Sequence, residues 1–75
     1  MIDKIIKNNL YELNIKENYI HLKNYINIID IYPNRITILV KNNKIIIEGE
    51  DLIICCLDEY ELLIRGTIKE ISFNG

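Results

Sequence analysis

The chain has 75 residues, a net charge of −2, a single histidine and two cysteines, and about half of it is hydrophobic. That is room for one domain, near the small end of what folds without metals or disulfides, and the interspersed charges supply neither a basic footprint for nucleic acid nor an acidic tail. The apolar runs fall far short of the roughly 20 residues that span a bilayer, and Met1-Ile2-Asp3-Lys4-Ile5-Ile6-Lys7 is too broken by charge to serve as a secretory signal, so a cytoplasmic protein is expected.

About a quarter of the residues are isoleucine, with no tryptophan and one phenylalanine. Isoleucine is stiff at χ1 and packs well on a pleated surface, which favours sheet before any pattern is read. Residues 1–18 form an N-terminal arm whose structure the pattern leaves undecided. Ile2, Ile5, Ile6, Leu10 and Leu13 recur at helical spacing, whereas Asn8, Asn9 and Asn14 are poor helix formers. A short helix, a strand and a frayed arm all remain open there.

From Tyr19 alternation takes over. Ile20 and Leu22 share one face, Asn24 interrupts, and Ile26 and Ile28 resume the pattern as far as Ile31. Tyr32-Pro33-Asn34 is the strongest break, because Pro lacks a ladder donor and Pro-Asn suits the centre of a turn. Ile36, Ile38 and Val40 then share a face. Asn42-Asn43 reads as a two-residue hairpin turn, Asn being tolerant of positive φ. That turn would set Lys41 opposite Lys44, Val40 opposite Ile45, Leu39 opposite Ile46 and Ile38 opposite Ile47.

Beyond it, Gly49-Glu50-Asp51 reads as a turn, Leu52 to Leu57 as a strand, Asp58-Glu59-Tyr60 as a turn and Glu61 to Arg65 as a strand. Gly66-Thr67 then leads into a last strand over Ile68 to Phe73. The expectation is an all-β domain over 19–75: a small antiparallel meander of six to seven short strands, sandwich-like or folded over. The strand spacing of eight or nine residues also suits a short β-solenoid, but Asn42-Asn43 encodes a reversal and not a corner. On the meander register Leu39 and Ile46 emerge opposite the main apolar stripe, which marks them as an interaction face for a homo-oligomer.

Few residues point to chemistry. His21 could serve Cys55 or Cys56 as a base, but no Gly-rich oxyanion loop or orienting motif accompanies them. The vicinal cysteines lack the C-x₂-C spacing that lets thiolates converge on zinc, and neighbours on a strand point to opposite faces. Glu48, Glu50 and Asp51 around Gly49 lack the alternating ligands of a calcium loop. No catalytic residue, cofactor, metal or small-molecule substrate is expected.

Several stretches resemble one family. They are the strand ending in Leu22-Lys23-Asn24, the run Arg35-Ile36-Thr37-Ile38-Leu39-Val40, Ile46-Ile47-Glu48-Gly49-Glu50-Asp51-Leu52, and Glu61-Leu62-Leu63-Ile64-Arg65-Gly66-Thr67-Ile68 with an aromatic at Phe73. Over about three quarters of its length the chain resembles the YabP/YqfC family of sporulation proteins, closest to the YqfC branch. It departs from the family at Lys16 and Asn27, where glycines are common. The resemblance implies a non-enzymatic assembly or scaffold component, acting in the mother cell of a sporulating bacterium on the spore envelope or coat, at the forespore surface. A membrane-anchored stage IV sporulation protein is the implied partner. The alternative is a monomeric adaptor or regulatory module that binds the cytosolic part of such a protein.

Overall fold

The structure is a computed structural model that describes residues 4–7 and 10–74. Seven strands follow one another: β1 (Lys4–Lys7), β2 (Glu12–Ile15), β3 (Tyr19–Lys23), β4 (Asn27–Tyr32), β5 (Arg35–Val40), β6 (Asn43–Leu57) and β7 (Glu61–Phe73). They build one antiparallel sheet in the order β1-β2-β3-β7-β6-β5-β4. The all-β antiparallel expectation holds, and reversal at every ladder leaves no parallel rungs for a solenoid. The meander is broken once. After pairing on β7, β3 hands the chain across to β4 at the far edge, through Asn24 in the left-handed region (φ 65°).

In the N-terminal arm the strand reading wins over the helix. Tyr11, Leu13 and Ile15 are buried while Glu12 and Asn14 are half-buried, a period of two. Of the helical stripe, Leu13 and the half-buried Leu10 meet the core, whereas Ile5 is exposed. Ile2 lies outside the described residues. A free edge on β3 decides the segment, because β2 gains a full ladder there that an isolated helix of this composition could not match.

The turn expected at Gly49-Glu50-Asp51 and the break expected at Gly66-Thr67 are bends within long strands. β6 has 15 residues and β7 has 13. At about 3.3 Å per residue a straight β6 would reach roughly 50 Å, yet the molecule measures 28 × 24 × 23 Å. Both strands therefore fold over, and register shifts in their ladder between Glu48 and Gly49 and between Glu50 and Ile53 mark the place. Gly49-Glu50-Asp51 is a bend with Asp51 at φ 53°, and Gly66, at φ 138°, lies opposite on β7. A Cβ on Gly49 would run into the Thr67 carbonyl, and one on Gly66 would lie 2.7 Å from the Asp51 carbonyl oxygen. Each glycine lets its strand lie against the backbone of the other.

The bend divides the sheet into two facing layers. One holds β4, β5, residues 43–50 of β6 and 68–73 of β7; the other holds β1, β2, β3, residues 61–65 of β7 and 53–57 of β6. Their inner faces supply the core as cross-strand rows, Ile38 with Ile45 and Ile36 with Ile47 from one layer, Leu13-Leu22-Leu62 and Ile15-Ile20-Ile64 from the other. All ten are buried in one cluster.

The hairpin between β5 and β6 corrects the expected register. Its turn is Lys41-Asn42, with Asn42 alone of that pair at positive φ (66°), and Val40 faces Asn43. Leu39 therefore pairs with Lys44, Ile38 with Ile45 and Ile36 with Ile47, while Ile46 pairs with Thr37. Asn43 enters the ladder instead of the turn, and its side-chain oxygen accepts from the Lys44 N–H. The slip moves each partner by two residues, which preserves the facing of every side chain. The core stripe Ile36, Ile38, Val40, Ile45 and Ile47 is thus as the alternation requires. The turns at Pro33-Asn34 and Asp58-Glu59-Tyr60 also lie where the sequence places them.

Two stability measurements test this architecture. Gly49→Ala must displace the Thr67 carbonyl, and it is expected to cost about 1–3 kcal/mol in urea melts, as overpacking does. Ile38→Ala, in the core rows, is expected to lose about 2–5 kcal/mol, while Glu59→Ala on the exposed turn stays within about 0.5 kcal/mol. A tolerated Gly49→Ala would contradict the bend, and equal losses at Ile38 and Glu59 would contradict the facing of the strands.

Candidate interaction surface

The candidate catalytic and metal residues are not brought together. His21 lies on the outer face of the second layer, half-buried, with Nε2 2.9 Å from Glu61 Oε1. Cys56 shares its cross-strand row but pairs with Leu63, which in turn pairs with His21. That places Cys56 two strand spacings, roughly 10 Å, from the imidazole. A base that far from a thiol cannot take its proton.

The cysteines themselves depart from simple alternation. The ladder shifts register between Ile54 and Cys56, so Cys55 is an extra residue and the two cysteines together oppose Leu63. The bulge interrupts the strict alternation on which their expected facing rests. Both are exposed. The acidic residues beside Gly49 form no ligand cage, and Glu50 is held by Lys69 at 3.0 Å on the surface. Among the described residues no group of three or more His, Cys, Asp or Glu side chains is placed to hold a metal ion. An open cleft of about 270 Å³ beside the β4–β5 turn is lined by Tyr32, Asn34, Arg35 and Glu48. There the Arg35 guanidinium lies 5.9 Å from the Tyr32 ring centroid, so its one cation is already engaged.

Leu39 and Ile46, the expected interaction face, both point away from the core, but they are half-buried and lie diagonally instead of opposite one another. Neighbours on that face include Thr37, which is itself buried, and Lys44. The more exposed apolar residues lie elsewhere. Ile26, Ile29, Ile31 and Tyr32 are exposed on or beside β4, and Ile53 and Leu57 on the second part of β6.

These two segments run antiparallel beside one another. At one end the Leu52 N–H donates to the Pro33 carbonyl at 2.8 Å; at the other the Tyr25 hydroxyl donates to the Asp58 carbonyl at 2.6 Å. Between those ties β4 and β6 form no ladder among the described residues, and their backbones stay farther apart than paired strands do. The result is a seam where the folded sheet stops short of closing into a barrel. Its rims are Ile29 and Ile31 on one side and Ile53 and Leu57 on the other, while Ile28 and Ile54 pack down against the core. β4 also carries a register shift between Ile28 and Asp30 that leaves Ile29 as an extra residue, a device that bends an edge strand.

Sequence reading missed this surface because it searched for apolar residues on the wrong side of a strand. The usable signal is composition: Ile26 to Tyr32 is apolar at both parities and contains no lysine, unlike a guarded edge. No family model matches the chain, and no curated protein or solved structure matches it either.

The bulge carries its own test. With both side chains on the surface, Cys55 and Cys56 are expected to react fully with a thiol reagent such as DTNB in the folded chain, at rates close to those in urea. A thiol that reacts only after unfolding would place one of them back in the core.

Proposed function

We propose that the protein is a non-enzymatic assembly component that joins copies of itself, and thereby an envelope partner, through sheet edges and exposed apolar strand surface. The observation that supports this reading is the seam. A chain of this size leaves two unpaired strand edges lined by isoleucine and leucine beside one another, and such edges are templates for adding another strand. The resemblance to the YabP/YqfC family supplies the setting: a cytoplasmic protein of the mother cell, acting at the forespore surface in building the spore envelope or coat. A membrane-anchored stage IV sporulation protein is the proposed partner. No helix among the described residues is long and apolar enough to cross a membrane, and the proposal assigns the membrane anchor to the partner. Leu39 and Ile46 stay in the proposal as a secondary contact, since both face outward.

Sedimentation equilibrium tests the reading directly. The wild-type mass is expected to exceed one subunit and to rise with concentration. Ile31→Lys combined with Leu57→Lys, both at exposed positions, is expected to lower it with the β-type circular dichroism retained. Leu39→Lys with Ile46→Glu is expected to lower it less. A wild-type mass of one subunit at every concentration would reject self-assembly, and capture of no envelope protein from sporulating cells would reject the setting.

A further inference from the structure

Strand alternation, followed inward from each side of the bulge in β6, brings its two thiols to one face. On one side Ile54 packs against the core and pairs with the buried Ile64, so the next side chain, Cys55, turns outward. On the other side Cys56 stands opposite Leu63, which lies between the buried Leu62 and Ile64 and therefore also points outward. Both cysteines are free and exposed, in agreement with that facing. Without the extra residue one of them would turn toward the core. The same outer face carries Ile53, two residues before Cys55 and 52% exposed, and the half-buried Leu63.

We infer that Cys55 and Cys56 form a dithiol site for a trivalent arsenical that carries one organic group. Their Cα atoms, one trans peptide apart, are about 3.8 Å from each other. That is closer than the roughly 4.4–6.8 Å of an ordinary disulfide, so the pair resists closing on itself and keeps two thiols available. An arsenic atom between the sulfurs lengthens the bridge by one atom. Being pyramidal, it accepts the bent path that neighbouring side chains on one face offer. The number of donors fits as well. Among the described residues no group of three or more His, Cys, Asp or Glu is placed to hold a metal ion, which disfavours tetrahedral zinc with its four ligands. Two thiols suffice for a soft centre whose third bond is already to carbon. Ile53 and Leu63 give that organic group an apolar surface to lie against. In the binding step each sulfur forms one bond to arsenic, the bonds from arsenic to its oxide oxygen break, and the two thiol protons leave with that oxygen as water. Arsenic stays trivalent, and nothing is oxidised or reduced. The site stands apart from the proposed self-assembly.

Phenylarsine oxide, added to the full chain at a concentration low enough to keep it monomeric, tests the site by native mass spectrometry and DTNB titration. One adduct per chain is expected, heavier than the chain by the reagent less one water. Both thiols should be lost to DTNB and both recovered on adding dimercaptopropanol. Cys55→Ser and Cys56→Ser, each at an exposed position, are expected to bind roughly tenfold or more weakly, because the second bond in the wild type forms within one molecule at high effective concentration. An adduct that leaves one thiol reactive, or an arsenic that bridges two chains, would overturn the site. So would a single variant that binds as tightly as the wild type, or one-to-one binding that appears only after unfolding in urea.

Discussion

Two glycines that face each other's backbone hold the architecture together. Gly49 lies against the Thr67 carbonyl and Gly66 against the Asp51 carbonyl, so β6 and β7 can turn the same corner while still paired. With side chains at both positions the strands would have to separate or run straight. A straight seven-stranded sheet would leave Ile36, Ile38, Val40, Ile45 and Ile47 facing water, with no second layer to cover them. Burying an aliphatic side chain contributes roughly 1.5–3 kcal/mol, so the ten buried residues of the core rows represent a gross term large beside the net stability of a small domain. Access to that term depends on the corner.

The same bend leaves the seam. Folding a sheet on two shared strands brings β4 alongside the second part of β6, and the ties at Pro33–Leu52 and Tyr25–Asp58 hold the two segments beside each other. Closure would need β4 to come within ladder distance along its whole length. The extra residue at Ile29 and the extra residue at Cys55 sit on the two facing segments and disturb the regularity of each. A corner that suffices for the core therefore stops short of a barrel.

Much of the layout was legible in the sequence, and what was not has definite physical causes. Alternation fixed which side chains face inward, and a hairpin slip of two residues at Val40–Asn43 could not disturb it, since parity survives an even shift. Choosing between Lys41-Asn42 and Asn42-Asn43 was harder, because either pair offers an asparagine able to take positive φ. Gly49-Glu50-Asp51 has the composition of a reversal and makes a bend. Local residues cannot separate the two, since the difference lies in whether Ile68 and Thr67 are on hand to keep the ladder going. Residues 1–18 were open for the same reason. Lys-Ile-Ile-Lys-Asn-Asn-Leu-Tyr-Glu-Leu suits helix or strand, and the free edge of β3, distant in sequence, settled it. Of the site, the outward facing of Leu39 and Ile46 was readable, whereas the seam was not, because it is created by strands that meet only after the sheet folds.

The exposed isoleucines are not a symptom of loose folding. A monomer of 8.9 kDa is expected to present about 4800 Å² of surface, and this chain presents 4864 Å². The molecule is as compact as its mass allows, so the apolar residues outside were placed there by topology and not by incomplete collapse. Their distribution follows from the core. Each layer spends one face of its strands on the interior, and several of the isoleucines that remain collect on β4 and the second part of β6, on the two sides of the seam. Natural sheets often guard such edges with lysine; β4 carries none between Asn27 and Tyr32.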